Sequence, residues 1–157
     1  MQSAHEFYRK GAVLMKIAIA SDHAGFSYKQ KLISFLQDKN YQTLDFGPYT
    51  SEEADYPVYA QKVCQAIIEG KASTGILVCG TGIGMSMAAN RHAEIRAAVC
   101  ADLKSAEFTR LHNNANILCI GERIIPYELA EQIALKFLTT DFLGGKHLAR
   151  IKMYSQA

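Results

Sequence analysis

The residue with the clearest capacity for chemistry in this chain is a cysteine that opens a glycine-rich turn. Cys79 ends the apolar run "GILVC", and glycines follow it at positions 80, 82 and 84. Glycines at this spacing let several backbone N–H groups converge on one point, and the helix predicted after the turn adds its positive N-terminal end. Such surroundings favour a thiolate, which acts as a base or a nucleophile beside groups that stabilise an anion. The stretch therefore predicts acid–base or nucleophilic chemistry at Cys79.

The residues alone leave two other interpretations of this turn open. One is a tight connection between a strand and a helix that does no chemistry. The other is a dinucleotide-binding turn, for which Asp102 lies at a suitable distance in sequence to contact a ribose. Against it, Met85 stands where that fingerprint has its last glycine, and the turn follows the third predicted strand rather than the first.

Polar side chains of two other loops are further candidates. Asp22 and His23 follow the first apolar run, where their ordinary roles are a helix cap and an exposed loop residue. The stretch "HNNAN", residues 112–116, has the composition of a turn. Taken alone, each of these stretches is explained by its local structural role.

A basic group lies near the end of the chain. Lys146 and Arg150 stand one helical turn apart, so a helix places them on a common face, with His147 beside them. This face is either solvated or a clamp for a phosphate dianion. Arg123, which follows the fifth predicted strand, could join such a clamp.

Alternating strands and helices carry these candidates. Short apolar runs predict five strands, at residues 16–20, 41–47, 75–79, 95–100 and 115–121. Helical spacing of apolar residues predicts helices at 26–39, 57–69, from the glycine turn to about 91, at 103–111, around 129–138 and in the last segment. This alternation predicts an α/β fold, a Rossmann-like three-layer α/β/α domain with a five-stranded parallel sheet. We expect residues 15–157 to form this single domain.

The predicted sheet indicates where the candidates meet. In an open parallel sheet, ligands bind outside the carboxyl ends of the strands. Asp22, His23, Cys79, Thr81 and Arg123 all follow predicted strands at that edge. Their clustering indicates a single site more strongly than any one motif does.

Composition and charge exclude several classes of protein. The chain has 157 residues, a formal net charge of +2 and no tract of lysine and arginine, so we expect no nucleic-acid partner. Its longest apolar runs are strand-sized and too short to span a membrane. The four cysteines show neither a C-x-x-C pair nor zinc-ligand spacing, which predicts a reducing cytoplasm and no metal site. We expect Cys64, Cys100 and Cys119 to be small buried hydrophobic residues.

The first fourteen residues precede a second methionine, Met15, at which the first strand begins. They contain no apolar stretch of signal-peptide length and no transit-peptide bias. We expect residues 1–14 to be an N-terminal extension of unknown role, outside the domain, and we assign no function to His5.

Seven motifs follow one another along nearly the whole chain from Met15 onward: "SDHAGF", "DYP", "CGTGIGMSMAAN", "RAAVC", "HNNANIL", "GER" and "GGKHLAR". In this order they resemble the type B ribose-5-phosphate isomerases, which share a family with the subunits of galactose-6-phosphate isomerase. The resemblance implies an aldose–ketose isomerase of the pentose phosphate pathway that needs neither a metal nor an organic cofactor. Its reaction would interconvert D-ribose 5-phosphate and D-ribulose 5-phosphate through an enediolate.

The resemblance also implies roles for single residues. Cys79 matches the general base that removes the C2 proton. His112 matches the histidine that promotes opening of the furanose ring, and Asn113 matches a residue that contacts the sugar. The backbone that matches the anion hole for the enediolate belongs to Gly80, Thr81, Gly82, Ile83 and Gly84.

Further matches concern the sugar oxygens and the phosphate group. Asp22 and Thr81 match positions near the oxygens between which a proton moves, and Tyr56 matches an aromatic residue of the pocket. Lys146 stands where the family often has arginine, so it keeps the positive charge but loses the bidentate fork. The matches to the other phosphate ligands are His23, Arg123 and Arg150.

Family members are homodimers or larger, which implies a homodimer or homotetramer here, with sites shared between subunits. Sharing would bring His112 and the basic C-terminal segment to a pocket that they need not reach within one chain. Within the same chemistry, the alternative is a hexose-phosphate isomerase that acts on allose 6-phosphate or galactose 6-phosphate. The presence of both Cys79 and His112 favours a self-sufficient homo-oligomer. The alternative from a different class is a nucleotide-binding module without catalysis.

Overall fold

The computed structural model describes residues 15–157, and the expectation for residues 1–14 lies outside the described residues. Within this range, five strands form one sheet: β1 (Lys16–Ser21), β2 (Gln42–Asp45), β3 (Thr74–Cys79), β4 (Ala97–Val99) and β5 (Ile117–Gly121). Six helices accompany them in the same range: α1 (Phe26–Asp38), α2 (Tyr56–Ile68), α3 (Ile83–Ala89), α4 (Leu103–Asn113), α5 (Tyr127–Thr139) and α6 (Lys146–Ile151). None of these six helices is both long enough and apolar enough to cross a bilayer.

All strand pairs of the sheet are parallel, in the order β2-β1-β3-β5-β4. The register places Ser21 beside Val78 and Cys79 beside Gly121, so β1, β3 and β5 end at one common edge. Crossover helices cover both faces, as parallel pairing requires. The α/β, Rossmann-like three-layer prediction is therefore confirmed.

Alternation along the strands sends side chains to two separate layers of the core. Ile17 and Ile19 of β1 belong to the layer built with α1, α4 and α5, whereas Ala18 and Ala20 belong to the layer built with α2 and α3. All four side chains are completely buried. The strands are apolar on both faces for this reason, and they hold the loops at their ends on a rigid base.

Element ends differ from the predictions by a few residues, and the side chain of one asparagine explains two of these differences. Asn90 binds both backbone groups of Ala97, accepting its N–H at 2.7 Å and donating to its carbonyl at 2.9 Å. These bonds end α3 at Ala89 rather than near residue 91, and β4 begins at Ala97 rather than at residue 95. α4 continues two residues past the predicted end to Asn113, and it stops where Asn114 adopts a φ of +46°.

The strand order also defines a crevice. β1 lies between β2 and β3, and the helices that follow β1 and β3, α1 and α3, pack on opposite faces of the sheet. The loops after these two strands therefore diverge. In such sheets this topological switch point is where ligands bind.

Candidate active site

Cys79 is the last residue of β3 and lies at the switch point with 5% of its surface exposed. Its Sγ accepts a hydrogen bond from the backbone N–H of Gly82 at 3.0 Å. Gly82 has a φ of +78°, a left-handed conformation that glycine adopts without strain, and this turns its N–H back toward the sulfur. A backbone donor aimed at the sulfur stabilises negative charge there.

The other three cysteines are buried in the core, as predicted. Burial raises the pKa of Cys64 to about 11 and that of Cys100 to about 11. Burial also raises the pKa of Cys119, whose side chain is completely enclosed. These three thiols stay protonated near neutral pH, so they act as apolar core side chains.

Glycines allow the turn after β3 to pack directly on the turn after β5. A Cβ on Gly82 would lie 3.1 Å from the backbone carbonyl carbon of Ile120. A Cβ on Gly121 would lie 2.6 Å from the backbone carbonyl carbon of Thr81. Within the turn, the Thr81 Oγ1 accepts the N–H of Ile83 at 3.3 Å. A side chain at either glycine would push the turn away from its neighbour.

Backbone hydrogen bonds join the same two turns. The N–H of Glu122 donates to the carbonyl of Cys79 at 2.9 Å, and the N–H of Arg123 donates to the carbonyl of Gly80 at 3.0 Å. The Arg123 side chain then crosses Gly80, with Nη1 3.2 Å from the point where a Cβ would stand. The structure thus places a guanidinium beside the glycine turn, as the sequence predicted for Arg123.

Two carboxylates bind the N-terminal end of α1. The Asp22 Oδ1 accepts the N–H of Gly25 at 3.0 Å, and the backbone N–H of Asp22 donates to the carbonyl of Val78 at 3.1 Å. The Glu122 Oε2 accepts the N–H of Tyr28 at 3.0 Å. The positive end of α1 is therefore occupied by the chain's own acidic groups.

His23 and Tyr56 form the opposite wall of the crevice. The His23 Nδ1 lies 3.2 Å from both the backbone nitrogen and the carbonyl oxygen of Ala54. Tyr56 begins α2 with 40% of its surface exposed. Its ring would lie 2.9 Å from a Cβ on Gly84, so the close approach of this ring requires glycine there.

The structure therefore brings together the candidates predicted at the carboxyl edge of the sheet. Asp22, Tyr56 and Arg123 contact the end of β3 or the glycine turn, and His23 follows Asp22 directly and bonds Ala54. We refer to them as the thiol cluster, which consists of Asp22, His23, Tyr56, Cys79, the Gly80–Gly84 turn and Arg123.

A second group of candidates surrounds a pair of stacked histidines. The rings of His112 and His147 have centroids 4.5 Å apart and planes 11° apart, and Phe108 lies 4.9 Å from the His112 ring. Partial loss of solvent lowers the pKa of His147, and His112, Lys146 and Arg150 lower it further. We refer to this group as the histidine cluster, which consists of His112, Asn113, Lys146, His147 and Arg150.

The two clusters lie at opposite edges of the sheet. α4 follows β4 and runs back to the amino edge, where β5 begins at Ile117. The five residues of β5 alone span about 13 Å at the rise of a parallel strand. One chain therefore does not bring the histidine cluster to Cys79, although each cluster is assembled on its own.

Two other polar residues serve the fold. Asp102 caps α4, because its Oδ1 accepts the N–H of Ser105 at 2.7 Å, and β5 separates the end of β4 from the glycine turn after β3. The His92 Nε2 lies 2.7 Å from the Oε1 of Gln61. Across residues 15–157, no three histidine, cysteine or acidic side chains are grouped so that they could hold a metal ion.

Lys29, for which the sequence predicts no role, is completely buried beside the site. Its Nζ contacts the Asp45 Oδ1 at 2.8 Å. The spacing did contain a signal, because Lys29 lies three residues before Leu32 and seven before Leu36, on the buried face of α1. A lysine at such a position must find a partner within the interior.

Comparison with known proteins gives a consistent result. A model of the family described as Ribose/Galactose Isomerase matches residues 17–154. The ribose-5-phosphate isomerase B of Escherichia coli K12 is 41% identical over 88% of this chain and 93% of its own length. A relative from Rickettsia conorii, 47% identical over 86% of this chain and 94% of its own, is named more broadly, as a provisional sugar phosphate isomerase.

Solved structures match over most of the chain. The crystal structure of a ribose 5-phosphate isomerase from Thermotoga maritima has a TM-score of 0.89 at 50% identity, over 91% of this chain and 99% of that one. Ribose-5-phosphate isomerase B from Clostridium thermocellum has a TM-score of 0.88 at 43% identity, over 88% of this chain and 94% of that one. The chain therefore belongs to the ribose/galactose isomerase family and is a sugar-phosphate isomerase similar to the type B ribose-5-phosphate isomerases.

Proposed function

We propose that this chain interconverts D-ribose 5-phosphate and D-ribulose 5-phosphate through an enediolate, with Cys79 as the base. One observation carries the proposal: the Cys79 Sγ accepts the Gly82 N–H at 3.0 Å, within a glycine turn at the switch point of the sheet. A sulfur and backbone donors in one crevice supply both needs of this reaction, a proton acceptor and a place for a developing oxyanion.

The proposed reaction begins at carbon. The Cys79 thiolate takes the proton from C2 of the open-chain aldose, and the electron pair of that bond forms a C1–C2 double bond. Negative charge collects on O1, where backbone N–H groups of the Gly80–Gly84 turn stabilise it. After a second proton passes from O2 to O1, Cys79 returns its proton to C1 and releases the ketose. No oxidant or reductant is consumed.

Thr81 and Asp22 are the proposed partners of the proton that passes between the oxygens. The Thr81 hydroxyl accepts the N–H of Ile83, which leaves its own proton available for donation. The Asp22 carboxylate is oriented by the N–H of Gly25 and lies beside the end of β3. Both side chains therefore have defined positions in the crevice that holds Cys79.

We infer a homodimer, or a homotetramer built from such dimers, in which one subunit's thiol cluster meets the partner's histidine cluster. The separation of Cys79 and His112 to opposite edges of the sheet supports this inference. Charge supports it as well, because the exposed loop beside His23 is acidic at positions 52, 53 and 55 and the histidine cluster is basic. The partner subunit's His112 would open the furanose ring, and the partner subunit's Asn113 would contact the sugar.

The phosphate group would then be bound from both subunits. His23 and Arg123 border the crevice from the same chain as Cys79. The partner subunit's Lys146 and the partner subunit's Arg150 would complete the set. Lysine contributes a point charge at its position, whereas Arg123 and Arg150 can each bind two phosphate oxygens at once.

The remaining assignments follow from the same proposal. Residues 15–157 are the isomerase domain, since the family model spans 17–154 of this range. We place the enzyme in the cytoplasm because its four cysteines are free thiols. We expect the reaction to need no metal or organic cofactor, because the Cys79 thiol and the backbone of the glycine turn supply the base and the anion donors, and the sugar undergoes no net oxidation.

A hexose phosphate is the second candidate substrate. The family description names both ribose and galactose, and the name of the Rickettsia conorii relative specifies no sugar. Isomerisation of allose 6-phosphate or galactose 6-phosphate involves the same two carbons and the same oxygens. The Cys79 turn would therefore serve either sugar, and a substrate test separates them.

The decisive experiment is an isomerase assay with EDTA present, on ribose 5-phosphate and on allose 6-phosphate. We expect wild type to convert the pentose and Cys79→Ala to lose about 10³-fold or more in kcat, because the variant lacks the base. Cys64→Ala is the matched control, since it removes a buried thiol outside the thiol cluster, and it should keep its activity.

Each other outcome has a definite meaning. Unchanged turnover in Cys79→Ala would refute the proposed base. Activity on the hexose alone would retain the mechanism and change the substrate. Activity on neither sugar would refute both of these substrates and make galactose 6-phosphate, the other hexose phosphate considered, the next substrate to assay.

A further inference from the structure

Lys29 is a fully buried charged residue at the carboxyl edge of the sheet, and the proposed reaction does not use it. Its side chain is 0% exposed, although it lies only one turn into α1. Burying a lysine costs free energy that an apolar residue of similar size would not cost. Stability alone therefore does not explain a lysine at this position, and its contacts suggest another role.

All three protons of the Lys29 ammonium group have acceptors. Nζ donates to the Asp45 Oδ1 at 2.8 Å, to the Asp45 Oδ2 at 3.1 Å and to the Pro48 carbonyl at 2.6 Å. The rings of Phe26 and Tyr49 lie 5.3 and 5.7 Å from Nζ and shield it from solvent. One cation therefore ties α1 to the last residue of β2 and to the loop that follows.

The same bonds extend to the end of β1. The Asp45 Oδ1 also accepts the N–H of Gly47 at 2.8 Å, and the carbonyl of Gly47 accepts the N–H of Ser21 at 3.0 Å. The Tyr49 hydroxyl donates to the Asp45 carbonyl at 3.0 Å. Ser21 is the residue before Asp22, so the Lys29 bonds fix the start of the loop of residues 46–55 against the thiol cluster.

The far end of this loop contacts two residues of the thiol cluster. Ala54 bonds the His23 ring at 3.2 Å, and Tyr56 lies two residues later with its ring against Gly84. The glycine turn itself is held by backbone bonds to the turn after β5, which do not involve the loop. A shift of the loop would therefore move His23 and Tyr56 more than it moves Cys79.

We propose that Lys29 is a positioning residue for substrate binding: it anchors the loop of residues 46–55 so that His23 and Tyr56 hold the sugar phosphate. This proposal rests on the proposed function, in which His23 binds phosphate and Tyr56 borders the sugar. It assigns Lys29 to binding rather than to proton transfer. Loss of the anchor should raise KM for the sugar phosphate and leave the step at Cys79 nearly intact.

The test compares Lys29→Met with Lys31→Met, a matched control that removes an exposed lysine from the same helix. Asp45 keeps 28% of its side chain exposed, so its carboxylate can be solvated when Lys29 is absent. For Lys29→Met we expect faster backbone hydrogen exchange in residues 46–56 and a KM for ribose 5-phosphate about tenfold higher, with kcat within about threefold of wild type. Lys29→Arg should restore part of the loss, and Lys31→Met should match wild type.

Two results would overturn the proposal: unchanged exchange in residues 46–56, or a fall in kcat at unchanged KM. If Lys29→Met does not fold, Tyr49→Phe removes only the hydroxyl bond to Asp45 from a side chain that is 73% exposed. We expect faster exchange in the loop and about a twofold rise in KM for that variant. Wild type that leaves ribose 5-phosphate unconverted would refute the proposed function, whereas hydrogen exchange would still decide whether Lys29 anchors the loop.

Discussion

The thiol cluster and the histidine cluster are built from different parts of the chain. The backbone positions the thiol cluster. Gly82 has a φ of +78°, and the backbone of the neighbouring strand β5 lies 3.1 Å from where a Cβ on Gly82 would stand. Side chains position the histidine cluster, through stacked rings on α4 and α6. Gly144 and Gly145, just before α6, also have positive φ, but no atom lies within 4 Å of their Cβ positions. The chain is therefore closely packed at the thiol cluster, where the proposed bond changes occur. It leaves open space beside the histidine cluster, where the proposed partner would bind.

The two clusters also differ in charge. Asp22 and Glu122 place carboxylates at the start of α1, beside the thiol cluster. Lys146 and Arg150 make the histidine cluster basic, and their charges lower the pKa of His147. A substrate phosphate would add negative charge beside the thiol cluster. The histidine cluster would supply the positive charge that balances it.

A buried lysine stabilises one region, and two half-buried arginines stabilise the other. Lys29 anchors the loop of residues 46–55 beside the thiol cluster. At the other edge, the Arg96 Nε donates to the carbonyl of Asn114 at 2.8 Å and its Nη1 donates to the Ser155 hydroxyl at 3.1 Å. Arg110 donates to the carbonyl of Thr140 at 3.2 Å. The two arginines thus connect the end of α4 to the C-terminal segment that carries the basic residues.

The largest effect is expected from co-expressing two inactive variants, which tests whether the two clusters form one site across subunits. Cys79→Ala and His112→Ala should each be nearly inactive alone, because each removes one half of every site. Co-expressed with different tags, they should form mixed dimers in which one site of two is intact. Since about half of randomly assembled dimers are mixed, activity should return to about a quarter of wild type.

The control for this experiment co-expresses Cys79→Ala with the double variant that carries both substitutions. No combination of these two chains contains an intact site, so no activity should return. Failure of the first pair to recover activity, with mixed dimers isolated through both tags, would contradict a site shared between subunits.

The second prediction tests the difference in packing with a matched pair of glycines. Gly82→Ala and Gly144→Ala both place a side chain at positive φ, which costs about 1 kcal/mol. Only the first also forces a Cβ against the backbone of β5, so we expect its free energy of unfolding to fall by about 2 kcal/mol or more. Its kcat should fall by about 10²-fold, because the N–H aimed at the Cys79 sulfur moves.

Denaturant unfolding and initial rates measure both effects. Gly144→Ala should keep its kcat within about threefold of wild type and lose only the cost of the strained backbone. Equal losses of activity in the two variants would contradict the view that tight backbone packing is confined to the thiol cluster.

Much of this organisation could be predicted from the sequence, because the relevant signals are local. Alternation of apolar strands and helices gives the sheet, and the sheet places Asp22, Cys79 and Arg123 at one edge. Motif matches assigned His112 to a site shared between subunits, and within one chain the direction of α4 takes His112 to the other edge of the sheet. A motif records which residues a site uses but not which subunit contributes them.

Lys29 shows a second limit of prediction from sequence. Its position on the apolar face of α1 could be read from spacing, but its partner Asp45 lies sixteen residues later, on β2. The pairing depends on how closely α1 packs beside the end of that strand. Tertiary geometry of this kind has no local sequence pattern.

The smallest expected effect concerns pH and the histidine cluster. The pKa of His147 is lowered from its ordinary value of 6.5, first by partial loss of solvent and then by His112, Lys146 and Arg150. The unfolded chain therefore binds a proton at His147 at a higher pH than the folded chain does. The contribution of His147 to the free energy of unfolding is fully present above pH 6.5. It declines as the pH falls from that value toward the lowered pKa of His147 in the folded state.

Thermal unfolding between pH 7.5 and pH 5.5 measures this contribution. Because His147→Gln cannot bind the proton in either state, its Tm should fall less than that of wild type over this interval. His92→Gln is measured in parallel, since His92 pairs with Gln61 outside the histidine cluster. An unaltered slope in His147→Gln would show that the stacked pair carries no proton-linked cost.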